Sequence, residues 1–99
     1  MLLAQSEKTE IFAKKSLEVS EKLNFPEGAI RAKNVLAVAY SIQGKMDLAF
    51  ETFEEAILLA EKSNHQILIC RTFNNIGRTY MKIGNFDDAV NYYQKGAEC

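Results

Sequence analysis

Residues 73–93, FNNIGRTYMKIGNFDDAVNYY, decide the fold of this chain, because residues 33–53, KNVLAVAYSIQGKMDLAFETF, carry the same pattern 40 positions earlier. Sliding residues 9–59 onto 49–99 pairs nine identities. They are Glu21/Glu61, Lys22/Lys62, Asn24/Asn64, Arg31/Arg71, Asn34/Asn74, Tyr40/Tyr80, Gly44/Gly84, Asp47/Asp87 and Ala49/Ala89. Apolar character follows the same register at Leu17/Ile57, Leu36/Ile76, Met46/Phe86 and Phe53/Tyr93. A fixed period of this length implies one supersecondary unit stacked on copies of itself, each burying its neighbour's apolar face. Such a chain presents surface rather than enclosing a reaction.

Working outward, local signals divide each unit into two helices. Pro26 suits a first helical turn, where its missing N–H is not needed, and Asn24 lies just upstream as a turn or capping residue. The spacing predicts helices over about 26–43, 46–62 and 66–83, and a further one from about Phe86, with turns at Gly44, at Asn64 and His65, and at Gly84. Asn85 can cap the last helix, and Asp87 and Asp88 favour its positive N-terminal end. Ile69, Phe73, Ile76, Tyr80 and Ile83 fall at intervals of three and four, which is helical and not strand spacing. Residues 26–43 carry two apolar stripes, Leu36 with Tyr40 and Val35 with Val38 and Ile42, as expected of a helix sandwiched in a stack. Small residues at Ala37 or Gly77 and at Ala49 or Ala89 mark close backbone approaches. Tyr93, in register with Phe53, is expected to point inward and Tyr92 outward at the exposed end.

The expected fold is all-α: about five helices in two and a half repeats, forming a right-handed superhelical solenoid of antiparallel hairpins. Residues 1–24 read as the orphan second helix of a repeat, 25–64 as the first full repeat and 65–99 as the second. A chain of 99 residues buries roughly 60–65% of its unfolded surface. Its apolar fraction of 47% and charged fraction of 25% are those of an ordinary soluble globular domain. A net charge of −1 argues against a nucleic-acid binder. No run approaches the roughly 18 apolar residues that span a bilayer, and residues 2–4 are too short an apolar stretch for a secretory signal. Cys70 and Cys99 have no metal-like spacing and read as two reduced thiols in a cytoplasmic setting. His65, the one histidine, lies at a helix break as a surface or capping residue. No nucleophile grouping, metal cluster, cofactor loop or other catalytic arrangement is evident. The acidic residues Glu51, Glu54, Glu55, Glu61, Asp87 and Asp88 read as a solvated convex side.

The stretch Phe73-x2-Ile76-Gly77-x2-Tyr80-x3-Gly84-x-Phe86-x2-Ala89-x3-Tyr93 resembles the tetratricopeptide repeat signature. The preceding unit reads Lys33-x2-Leu36-Ala37-x2-Tyr40-x3-Gly44-x-Met46-x2-Ala49-x3-Phe53-x2-Ala56 and departs from it at Lys33 and Ala37. Gly96 stands where the signature has Ala, and neither unit ends in the customary Pro. The 40-residue period is similar to that of kinesin light chains, spindle-orientation adaptors and bacterial peptide-sensing regulators. The resemblance implies a non-catalytic scaffold whose concave groove, lined by the first helix of each hairpin, binds protein. By register the groove positions are Arg31, Asn34, Val38 and Ser41, then Arg71, Asn74, Asn75, Arg78, Met81 and Lys82.

On one helix Arg71, Asn74, Asn75, Arg78 and Lys82 fall at i, i+3, i+4, i+7 and i+11 and share a face. Asn amides pair with a peptide backbone and Arg forks grip carboxylates, so the expected partner is an extended acidic peptide or a C-terminal carboxylate. The carboxylate clamp of chaperone-binding relatives is incomplete: Asn75 fits it, but Val38 sits where the other Asn belongs. An alternative class is homotypic assembly or a spacer, because Ile11, Phe12 and Val19 lack a covering helix and the chain stops at Cys99 within a helix. A fragment of a longer array, or the sensory segment of a larger signalling protein, fits the same observation.

Overall fold

A computed structural model describes residues 2–99; Met1, the first position of the expected orphan helix, lies outside the described residues. They form five helices: α1 (Leu2–Lys22), α2 (Pro26–Ile42), α3 (Met46–Lys62), α4 (Gln66–Lys82) and α5 (Phe86–Ala97). No strand occurs among the described residues, and the chain is the expected helical-repeat solenoid. Its extents of 38 × 35 × 18 Å make a slab, and a thickness of about two helix diameters leaves two layers.

All four connections are one device. Asn24, Gly44, Asn64 and Gly84 adopt left-handed backbone with φ of 51°, 79°, 57° and 80°. At each, the N–H of the next residue reaches back five positions: Phe25 to Ser20, Lys45 to Tyr40, His65 to Ala60 and Asn85 to Tyr80, at 2.8–3.0 Å. The left-handed residue itself donates three positions back, as Asn24 does to the Glu21 carbonyl at 3.2 Å. This double closure satisfies helix-end carbonyls. The 40-residue repeat thus contains a structural half-period of 20 that residue identities hide, because Asn and Gly alternate in the same conformation. Helix starts are less specified. Among α2–α5 only Asn85 caps with its side chain, accepting from the Asp88 N–H at 3.4 Å.

Three clusters form the core. Ala13, Leu36, Tyr40 and Ala49 join α1, α2 and α3. Ile30, Ala56, Ala60, Leu68 and Ile69 join α2, α3 and α4, with Leu59 and Phe73 against them. Ala37, Phe53 and Ile76 form the third, with Phe50, Tyr80 and Tyr92 around it. Ala37, Ala49 and Ala89 are fully buried, as small residues at close approaches should be. At Gly77 a Cβ would lie 3.0 Å from the Tyr93 ring and 3.2 Å from the Ala89 carbonyl. Tyr93 is therefore inward, as its register requires. Tyr92 departs from expectation: it is half-buried, its ring 5.6 Å from that of Tyr80 and 6.0 Å from that of Phe73.

The departures from the repeat signature have partners. Lys33, where a bulky apolar residue is usual, pairs with Glu55 at 3.1 Å across α2 and α3. One period later the same two positions are Phe73 and Lys95, and the ammonium sits 5.7 Å from the ring centroid. An ion pair in one repeat is a cation–π contact in the next. Gly96 is small because a Cβ there would run into the Asn74 amide.

The cysteines are a correction. They are not two free thiols: Cys70 on α4 and Cys99 just after α5 form a disulfide, with Cα atoms 5.7 Å apart. They are 29 residues apart in sequence, so spacing alone gave no sign of it. The repeat register explains the meeting, since Ile30 and Leu59, one period earlier, belong to one apolar cluster.

Candidate protein-interaction groove

The second apolar stripe of α2 lines the floor of an open cleft, while its Val38 also packs against the buried cluster of Ala37, Phe53 and Ile76. Val35, Val38, Ala39 and Ile42 line that cleft, with Gln5, Ser6 and Thr9 of α1 on one side and Leu68, Arg71 and Asn75 of α4 on the other. Its volume is about 380 Å³ and its walls are mainly apolar. Val35 is 42% and Ile42 37% exposed, high for aliphatic residues flanked by helices on both sides. Five of the sequence-derived positions meet here: Arg31, Asn34, Val38, Arg71 and Asn75. Register does not point to the other lining residues, which are Val35, Ala39, Ile42, Leu68 and the three from α1.

Within this set the roles divide sharply. Asn34 is buried and its amide is occupied inside the protein. Its Nδ2 donates to Thr72 Oγ1 at 2.9 Å and to the Ile30 carbonyl at 3.2 Å, and its Oδ1 accepts from Asn75 Nδ2 at 3.0 Å. Thr72 in turn donates to the Leu68 carbonyl at 2.7 Å. This network joins α2 to α4 beneath the cleft, and half-buried Asn75 retains its Oδ1 for another donor. Asn74, identical in register to Asn34, is exposed and lies against Gly96 of α5, away from the cleft. Arg78 and Lys82 are exposed on α4 but do not line the cleft. Ser41 is buried and donates to the Val38 carbonyl at 2.7 Å.

The two repeated arginines also differ. Arg31 is held by Glu27 one turn earlier, at 3.3 Å. The position matching Glu27 in the next repeat is Ile67, which is 75% exposed. None of the ion pairs among the described residues involves Arg71. Its guanidinium therefore stands at the cleft edge with no internal carboxylate.

Away from the cleft, polar ties fix α1 on α2. Glu10 pairs with Lys14 at 2.8 Å and accepts from Gln43 Nε2 at 3.0 Å. Lys14 holds the Glu10 carboxyl below the usual range, helped by Gln43, and Glu10 in turn raises the Lys14 ammonium. Lys14 and Lys45 both sit 5.9 Å from the Tyr40 ring centroid. Burial, with Tyr92 nearby, raises the Tyr80 phenol. Among the described residues no three His, Cys, Asp or Glu side chains converge as a metal site, and no helix is long and apolar enough to cross a membrane.

The tetratricopeptide repeat profile matches residues 28–99, nearly three quarters of the sequence. The chain belongs to the tetratricopeptide repeat family. Repeats of this family generally mediate protein–protein interaction. The chain is 29% identical over 86 residues to the human Outer dynein arm-docking complex subunit 4 and 28% identical over 86 residues to the Bos taurus protein of the same name. Each alignment covers 87% of this chain but 12% of the relative, so the chain spans about an eighth of those proteins. No solved structure matches it.

Proposed function

We propose that this chain is a non-catalytic scaffold whose cleft takes an extended acidic peptide, one apolar side chain resting on Val35, Val38 and Ile42 and a carboxylate meeting Arg71. One observation carries this reading: an apolar floor and an arginine without an internal carboxylate share one cleft. Arg31, already neutralised by Glu27, contributes less, and Asn75 offers its free amide oxygen to a peptide N–H. Asn34 acts from beneath by holding α2 and α4 at the spacing that forms the cleft. The alignment with a docking-complex subunit fits a role in assembly.

The test is selection from a random peptide library on the native chain, on Arg71→Glu and on Val38→Asp. Acidic peptides with a bulky apolar residue should be enriched by the native chain; Arg71→Glu should weaken them roughly tenfold to a hundredfold, the value of one charge-assisted bond, and Val38→Asp should weaken them by putting a carboxylate on the apolar floor. Unchanged enrichment in both variants, with helicity intact, would refute the cleft as the site.

A second reading, self-association, rests on α1, where Ile11 and Phe12 are 69% and 71% exposed. Sedimentation of the native chain against Phe12→Glu separates the two, because this change leaves the cleft alone.

A further inference from the structure

We infer that Cys70 and Cys99 form a redox clasp that governs the order of the last turn of α5. The repeat supplies an internal comparison. In the first repeat the corresponding residues are Ile30 and Leu59; Ile30 is completely buried, and α3 is held along its length by Ala49, Phe53, Ala56 and Ala60, each completely buried. In the second repeat α5 has one buried residue, Ala89, near its start. Tyr92 and Tyr93 secure its middle, half-buried against α4. Beyond them Gly96 stands in the register of Ala56 with no side chain to pack, and Ala97 and Glu98 are exposed. The covalent bond thus replaces an apolar contact in a turn whose other anchors are Lys95 over the Phe73 ring and the approach of Gly96 to Asn74.

Access and chemistry agree. Cys99 is exposed, so its sulfur can be reached from solvent, while Cys70 is half-buried. A low-molecular-weight disulfide such as oxidised glutathione is a sufficient oxidant. The Cys99 thiolate attacks it and releases one thiolate, leaving a mixed disulfide. The Cys70 thiolate then attacks the Cys99 sulfur and releases the second. The protein loses two electrons and two protons, and one glutathione disulfide becomes two thiols. A dithiol reductant reverses both steps. When the bond opens, the Glu98 N–H to Gln94 carbonyl bond and the rest of that turn lose their tether, and the face of α4 bearing Cys70 and Asn74 is uncovered.

Hydrogen exchange read with intact mass tests this. The reduced chain, treated with oxidised glutathione, should lose the mass of two hydrogens. Amides of residues 96–98 should then exchange at least roughly tenfold more slowly than in the reduced chain, with α2 and α3 unchanged. Cys99→Ser under oxidising conditions should match the reduced native chain. The proposal is overturned if the dithiol or a mixed disulfide persists, if exchange in 96–98 ignores reduction, or if reduction accelerates exchange throughout α2 and α3, which would make the bond a global staple instead.

Discussion

Asn34→Ala and Asn74→Ala are the same substitution at the same repeat register, and the structure predicts very different outcomes. Both replace a helical Asn by Ala and gain the same modest helix propensity, roughly half a kcal/mol. Their difference therefore isolates tertiary context. Asn34→Ala removes two bonds between helices, to Thr72 Oγ1 at 2.9 Å and from Asn75 Nδ2 at 3.0 Å. Each contributes about 1 kcal/mol net. Thr72 keeps its bond to the Leu68 carbonyl, and half-buried Asn75 can turn to water, so neither partner becomes a fully orphaned polar group. With the small void left by a buried amide, the difference between the two variants should be about 2–3 kcal/mol. For a domain of this size that is a separation of about 10–20 °C in thermal midpoint. Asn74→Ala loses no hydrogen bond and should fall within about 0.5 kcal/mol of the native chain. Far-UV circular dichroism melts at one fixed redox state give both values, and urea titrations check that the slope is unchanged. A further variant, Asn34→Ala with Asn75→Ala, should show coupling of about 1 kcal/mol. Equal losses from the two single variants would refute the network as the element joining α2 to α4.

The remaining predictions concern turns, repeat pairing and acid. Gly84→Ala should lower stability by about 1 kcal/mol because φ is +80° there, whereas Gly84→Asn should be nearly silent, since Asn24 and Asn64 already adopt that conformation; chemical denaturation distinguishes them. Glu55→Lys should destabilise by placing an ammonium beside Lys33, and adding Lys33→Phe should recover most of that loss by copying the Phe73–Lys95 contact. A double variant no more stable than Glu55→Lys alone would contradict the exchange of pairings. Glu10 titrates below its ordinary value of 4.5, so its contribution is present above that value and fades as pH falls through and below it. The amount is about 0.5 kcal/mol, and the loss on acidification should be smaller in Glu10→Gln, as melts between neutral and acid pH will show.

Architecture was legible because it depends on features that periodicity encodes directly. Positions recurring at 40 residues, apolar spacing of three and four, and Gly or Asn at helix ends are each a local statement, and the helix bounds followed within a residue or two. The groove was only partly legible. Register pairs Arg31 with Arg71, and both are exposed at the cleft, but it treats Asn34 and Asn74 as equals. An interior helix such as α2 has a neighbour on the side where Asn34 lies, and there the amide is buried against α4. In α4 the same position meets α5 and Gly96 instead. The second stripe of α2 was half legible: its apolar residues fit a helix sandwiched in the stack, which α2 is, but the sequence does not show that the same stripe also lines a cleft.

The chain's amino-acid order by itself determined the repeat, the five helices, their left-handed turns and the family, because each rests on interactions within some twenty residues or on a pattern repeated in register. Tertiary structure alone decided which polar residues became structural and which stayed available, and that Cys70 and Cys99 meet. Those outcomes depend on which surfaces stacking brings together and which it leaves open. Two copies of one motif, placed next to different neighbours, bury different atoms.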